Sequence, residues 1–206
     1  MKKLLCLAAA MAMAAMVAVP TASAESGLRY DWNAKKFVYG DTDIVKASLG
    51  RNSNKSPVPR RTVKFDENVA KGTIIIDTTE RRLYYTLGNG KAIKYGVGVG
   101  RAGFEWSGTK RITRKAEWPG WTPPPQMIRR EARKGRKLPA HMPGGPNNPL
   151  GARALYLGSS LYRIHGTNQP WTIGQAMSSG CIRMANEDVE HLYAQVGVGT
   201  RVIVRR

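Results

Sequence analysis

From Gly72 onward the apolar residues fall into short β-branched and aromatic runs punctuated by glycine, a pattern that favours strands over long helices. The run Thr73-Ile74-Ile75-Ile76-Asp77 is unbroken and reads as a buried strand. Leu83-Tyr84-Tyr85-Thr86-Leu87 and Ala92-Ile93-Lys94-Tyr95-Gly96-Val97 flank Gly88-Asn89-Gly90, and residues tolerant of positive φ between two such runs signal a hairpin. Gly96, Gly98, Gly100 and Gly103 follow, but without the spacing of a phosphate loop or a Gly-Lys-Ser/Thr behind them. They are expected to mark close backbone packing or a bulge. Residues 154–157, 161–164 and 201–204 read as further strands. Residues 126–134 suit a basic helix stopped by Gly135. A second helix is expected with Asn186 as its N-cap, Glu187 and Asp188 in its first turn, and Val189, Leu192, Tyr193 and Val196 on one face. The fold expected is mostly β, with two or three short helices.

The chain opens with Lys2 and Lys3, an apolar stretch over residues 4–19, Pro20, and Ala22-Ser23-Ala24. That order is the pattern of an export signal, so residues 1–24 are expected to be a signal peptide cleaved near Ala24. The stretch is short for a bilayer span, which needs roughly 20 apolar residues, and no second such run follows. No stable membrane span is expected after cleavage. Residues 25–70 form a basic, poorly patterned arm, with Tyr30, Trp32, Phe37 and Tyr39 available to dock it. The net charge is +19. Such a charge favours polyanionic partners, and export makes nucleic acid the least fitting of them.

Cys6 leaves with the signal, so Cys181 is the one thiol the exported chain keeps. Exported structural cysteines come in pairs, and a lone one is either buried and inert or reactive. Cys181 lies in Met177-Ser178-Ser179-Gly180-Cys181-Ile182-Arg183-Met184, and His165 precedes it in Ile164-His165-Gly166-Thr167-Asn168. A thiol attacks as thiolate, and a neighbouring imidazole is the usual base. Gly180 allows close approach of a ligand, and the amides around residues 179–181 suit a developing oxyanion. No Asp is spaced to orient His165, which leaves a backbone carbonyl such as that of Gly166. His141 and His191 read as a loop residue and a helix-surface residue. No HExxH or paired-cysteine spacing is present, so no metal is expected.

These residues resemble the signature of the YkuD-type L,D-transpeptidases: His165-Gly166-Thr167, then Ser178-Ser179-Gly180-Cys181-Ile182-Arg183-Met184. The opening hairpin with Asp77 and Arg82-Leu83-Tyr84, the strand Gly96-Val97-Gly98-Val99-Gly100, and the segment Met142-Pro143-Gly144-Gly145-Pro146-Asn147-Asn148-Pro149 are similar to that family as well. The resemblance covers residues 71–206, expected to be the catalytic domain. It implies a β-sandwich or barrel-like fold and no cofactor. It further implies a periplasmic enzyme acting on peptidoglycan stem peptides, with Cys181 as nucleophile, His165 as general base and acid, and the Gly180 backbone in the oxyanion hole. Arg183, Ser178, Ser179 and Gly166 would meet the substrate. Cys181 would form a thioester at meso-diaminopimelate, releasing D-Ala. The acceptor would be a second diaminopimelate, an outer-membrane protein, or a D-amino acid, and carbapenems would acylate the same thiol. Many members carry His where this chain has Ser179.

Other readings share parts of this pattern. An L,D-carboxypeptidase or cross-link hydrolase would use the same acyl-enzyme with water as acceptor. A non-catalytic wall-binding protein would keep the fold without the chemistry, and a secreted peptidase would attack ordinary proteins. The long Pro- and Gly-rich segment over residues 118–151 is a lid candidate.

Overall fold

One sheet of nine strands carries the site. The computed structural model describes residues 28–31, 36–39 and 55–206; the expected signal peptide and Trp32 lie outside them. Among the described residues, strands β1 (Leu28–Asp31) and β2 (Lys36–Tyr39) form a two-stranded pair of their own. The large sheet takes in β3 (Arg61–Lys64), β4 (Ile74–Asp77), β5 (Arg82–Gly88) and β6 (Lys91–Gly96) from the first half of the domain. After the short β7 (Val99–Gly100) come β8 (Gly108–Glu117), helix α1 (Pro125–Ala132), β9 (Arg153–Leu157) and β10 (Arg163–His165). Then follow β11 (Ala176–Ser178), β12 (Ile182–Arg183), helix α2 (Asn186–Gln195) and β13 (Arg201–Arg205). The order across the sheet is β12-β10-β9-β8-β13-β4-β5-β6-β3, while β7 and β11 form a separate parallel pair.

Strand β8 joins two halves. Residues 108–111 pair with β13, and residues 112–117 pair with β9 after a register shift between Ile112 and Arg114. A bulge of that kind bends a strand. The halves share one core: Ile74, Leu83 and Tyr95 come from one, Leu155, Ile164 and Ile182 from the other, and Val189 and Leu192 from α2. This is the strand-rich, sandwich-like arrangement that the resemblance implies.

Both faces of β4 are covered, which explains its continuous Ile run. Ile74 and Ile76 enter the main core, while Ile75 packs with Tyr84 and Ala92 under Val63, Phe65 and Val69. Those last three residues lie in the segment read as an unpatterned arm. From Arg61 it is β3, paired antiparallel with β6, so the folded unit begins before residue 71. Val58 sits against Gly96, where an added Cβ would lie 2.5 Å from Val58 Cβ. The hairpin turn has Gly88, Asn89 and Gly90 all at positive φ, as its sequence requires.

Helix α2 departs from expectation at its first residue. Ala185 is the N-cap, and Asn186 is already helical, with no side-chain cap bond. The Asn186 amide is used elsewhere: its Oδ1 accepts from the Ala152 N–H at 3.0 Å and the Thr167 N–H at 3.1 Å. Glu187 and Asp188 do occupy the first turn, where the helix dipole favours them. Helix α1 starts at Pro125, whose fixed φ suits a first turn.

The Val58–Gly96 contact makes the packing of the N-terminal strap testable. Gly96→Ala should lower stability by about 1–3 kcal/mol through overpacking. Adding Val58→Gly, which removes the clashing Cβ, should recover much of that loss, a non-additivity expected only for residues in contact. Denaturant midpoints of the two single variants and the double variant measure it; strict additivity would mean that the strap does not rest there in solution.

Candidate active site

Strand β10 lies between β9 and β12, antiparallel to the first and parallel to the second. Ile164 pairs with Ile182 and His165 with Arg183. Side chains alternate across a sheet. Ile164 and Ile182 are fully buried in the core, which sends Arg163, His165 and Arg183 to the opposite face. Cys181, one residue before Ile182, joins them there. All four line a cavity of about 360 Å³, together with Ser178 and Ser179.

The loop carrying Cys181 is held from both sides. Gly180 has φ +102°, and a Cβ there would fall 2.6 Å from a ring carbon of Tyr162; only glycine fits. Ser178 Oγ donates to the Cys181 carbonyl at 2.6 Å and accepts from the Gly180 N–H at 3.1 Å. The buried Ser178 hydroxyl thus organises the loop, and Ser178 also lines the cavity. The Gly180 N–H, expected in the oxyanion hole, is likewise taken. Trp106 Nε1–H donates to the Gly180 carbonyl at 2.7 Å, and its ring stacks on Tyr162 at 4.5 Å and 9°. That carbonyl shares a trans peptide with the Cys181 N–H, so fixing one aims the other in the opposite direction.

His165 Nδ1 lies 2.6 Å from the Gly166 carbonyl oxygen. A carbonyl only accepts, so Nδ1 carries the proton and Nε2 keeps its lone pair. The expected orienting carbonyl is therefore in place, and Gly166, buried itself, serves His165 by that contact. Burial lowers the imidazole pKa first, the Arg183 and Arg163 charges lower it further, and the bond to Gly166 only partly offsets them; the result is about 3. The Cys181 thiol moves the opposite way, raised by burial against the lowering pull of Arg163 and Arg183. Its Sγ donates to the Leu161 carbonyl at 3.6 Å. These shifts favour a neutral thiol and a neutral imidazole lining the same cavity.

The segment over residues 118–151 forms one wall, through Trp121, Met127, Arg130 and Leu150 among others. It has its own small core of Trp121, Met142 and Leu150, with Met127 and Leu138 against it. Arg130 Nη2 donates to Ser179 Oγ at 3.3 Å, tying α1 to the loop that carries Cys181. His141 and His191 lie elsewhere, bonded to Thr122 and Tyr95. Among the described residues no three His, Cys, Asp or Glu side chains converge as metal ligands.

Arg163, Trp106 and Arg130 escaped the sequence reading. Arg163 was accessible in principle: two residues before His165 on a strand means the same face. Trp106 and Arg130 reach the loop from distant segments, and no local pattern announces that.

The profile of the YkuD family, the L,D-transpeptidase catalytic domain, matches residues 71–204. The chain belongs to the YkuD family. Its likeness to the probable L,D-transpeptidase YbiS of Escherichia coli K12 is 43% identity over 183 residues, 84% of this chain and 58% of that protein. With the probable L,D-transpeptidase ErfK/SrfK of the same organism it shares 40% identity over 180 residues, 82% of this chain and 56% of that protein. The chain thus spans a little over half the length of these YkuD-family relatives. A solved structure of L,D-transpeptidase 3 from Mycobacterium tuberculosis aligns with 65% of this chain and 60% of that one, at 15% identity and a TM-score of 0.49.

Two outcomes follow from the site's construction. Asn186→Ala strips an acceptor from two buried backbone N–H groups beside His165 and should cost about 2–4 kcal/mol; thermal unfolding would reveal it, and an unchanged midpoint would refute the clamp. His165, depressed from 6.5 to about 3, should show no imidazole titration near neutrality by NMR. Because the folded pKa lies below the unfolded one, its contribution to stability is complete above 6.5 and is lost as the pH falls toward about 3. A His165 titration midpoint between 6 and 7 would overturn the neutral pair.

Proposed function

We propose that this protein is a peptidoglycan L,D-transpeptidase that works through a thioester on Cys181. The observation that carries this reading is the tautomer of His165: Nδ1–H is held by the Gly166 carbonyl, and Nε2 is left as a base in the cavity that Cys181 lines. Membership in the YkuD family supports the same chemistry.

In this reading a tetrapeptide stem enters the cavity with the carbonyl of the L-centre of meso-diaminopimelate beside Cys181. His165 Nε2 takes the thiol proton as sulfur attacks, and a C–S bond forms. The carbonyl oxygen becomes an oxyanion stabilised by the Cys181 N–H, since the Gly180 N–H is occupied. His165 returns its proton to the leaving nitrogen, the C–N bond breaks, and D-Ala departs. An acceptor amine then attacks the thioester, giving its proton to His165 and restoring the thiol. A second diaminopimelate side chain as acceptor gives a 3→3 cross-link; a protein amine or a D-amino acid gives attachment or exchange. Water as acceptor would make the same site an L,D-carboxypeptidase. We place the enzyme in the periplasm, after removal of residues 1–24, with carbapenems as acylating inhibitors of Cys181.

Mass spectrometry of tetrapeptide muropeptides incubated with the protein tests the reading. Cross-linked dimers lacking one D-Ala should appear with the wild type and not with Cys181→Ala. Tripeptide alone would move the assignment to a carboxypeptidase, and no product at all would sink it. The role of Trp106 has its own test. Trp106→Phe keeps the ring stack on Tyr162 but removes the N–H that holds the Gly180 carbonyl. It should slow carbapenem acylation at least roughly tenfold, the scale of one lost hydrogen bond at a developing charge. Alkylation by iodoacetamide, which forms no oxyanion, should stay at the wild-type rate; equal slowing of both would show that Trp106 only supports the loop.

A further inference from the structure

Three guanidinium groups line the cavity beside Cys181, those of Arg130, Arg163 and Arg183, and no Asp or Glu lines it with them. Arg130 has partners: its Nε lies 3.2 Å from Glu131 Oε1 and its Nη2 donates to Ser179. The other two differ. Arg163 Nε and Arg183 Nη1 are both buried with no hydrogen-bond partner. An aromatic face, that of Tyr156 at 5.4 Å from Arg163 Cζ, offers π density but no acceptor oxygen. Buried charged donors almost always have partners, because leaving one unpaired forfeits its hydration for nothing. Two such donors on adjacent strands favour an acceptor of negative charge between them.

Their placement narrows the ligand. Arg183 pairs with His165 across β10 and β12, and Arg163 is two residues before His165 on the same face. The two guanidiniums are diagonal neighbours beside the thiol, and planar forks of this type suit the two oxygens of a carboxylate.

We infer that Arg163 and Arg183 form a carboxylate subsite adjoining Cys181, occupied by the terminal carboxylate of the acyl donor's leaving residue. Naming that donor rests on the transpeptidase reading above; the carboxylate subsite does not. It selects donors whose leaving group is a free amino acid over those ending in an amide. It also gives a D-amino acid acceptor a place to dock, because the entering amine carries the same carboxylate that the departing one did.

The thiol reports directly on the subsite. Cys181 thiolate displaces iodide from either iodoacetate or iodoacetamide, and the two differ only in carrying a carboxylate or a neutral amide. In the wild-type protein the ratio of iodoacetate to iodoacetamide rates should exceed that of free glutathione. The iodoacetate rate should saturate with concentration, and added acetate should slow it while acetamide does not. Arg163→Gln should reduce the ratio about tenfold, the scale of one charge-assisted hydrogen bond, with the iodoacetamide rate showing that the fold and thiol persist. Arg201→Gln, on the exposed end of β13, should leave the ratio unchanged. A wild-type ratio no higher than glutathione's, or one that survives Arg163→Gln, overturns the subsite. Full retention by Arg163→Lys also overturns it, since charge without the fork would then suffice. Tetrapeptide donors ending in a free acid or a carboxamide complete the test. Equal processing of both overturns the assignment to the leaving residue. A carboxylate-dependent ratio with neither donor processed would keep the subsite and reject the transpeptidase reading.

Discussion

A parallel ladder only two residues long, Ile164 to Ile182 and His165 to Arg183, decides which side chains reach the candidate site. Side chains alternate with period two, so a slip of one residue would send His165 into the core and Ile164 into the cavity. What prevents the slip is the apolar core. Ile164 and Ile182 are sealed between Leu155, Met184 and Val189, and moving either to the cavity face would expose it. Backbone bonds then lock the short strand: Met184 N–H to the His165 carbonyl at 2.8 Å, and Arg183 exchanging two bonds with Gly98 at 2.8 and 2.9 Å. Gly98 admits that exchange because a side chain there would meet the Thr172 carbonyl at 3.0 Å. The glycine-studded strand is thus part of the active-site scaffold, and no phosphate loop is needed to explain it.

Much of this was legible in the sequence, and the division between what was and what was not has a physical basis. The hairpin over residues 82–96, the lone thiol with its histidine, and the orienting carbonyl of Gly166 all depend on local rules. They concern turn geometry, redox compartment, and the valence of an imidazole with no carboxylate nearby. Strand β3 was missed because its partly exposed Arg61-Thr62-Val63-Lys64 carries little apolar signal; pairing with β6 supplies what propensity does not. Asn186 looked like an N-cap by residue type, yet its amide satisfies two orphaned N–H groups from other segments. A cap saves one local donor, whereas this clamp saves two buried ones, so the tertiary use wins. Gly180 stands out in the sequence as a place of close ligand approach; its positive φ, its contact with the Tyr162 ring and its N–H bond to Ser178 depend on tertiary placement.

Electrostatics give the site a particular resting state. Many reactive thiols gain their nucleophilicity from a standing thiolate and imidazolium pair. Here His165 is buried among two guanidiniums, and a third positive charge on it is strongly disfavoured. In the proposed mechanism the thiol would therefore keep its proton until attack begins. An imidazolium formed in that field is a strong acid, well suited to return its proton to a departing amine. The same field makes the free imidazole a weak base, which on its own would slow the first half of the reaction.

If a carboxylate binds at Arg163 and Arg183 as inferred above, it would resolve that conflict. Its negative charge would offset the two positive ones that depress His165, and the imidazole would become more basic as the proposed substrate seats. The Cys181 pKa would rise by the same cause, but the proton moves from sulfur to nitrogen only as the C–S bond forms, and the base gains where it is needed. In the same reading, once the leaving residue departs with its carboxylate the bare field would return and the imidazole would again be hard to protonate. An acyl-enzyme in that state offers little general-base help to water. An acceptor bearing its own carboxylate would restore the base as it binds, so aminolysis gains an advantage over hydrolysis from the charges of the cavity alone.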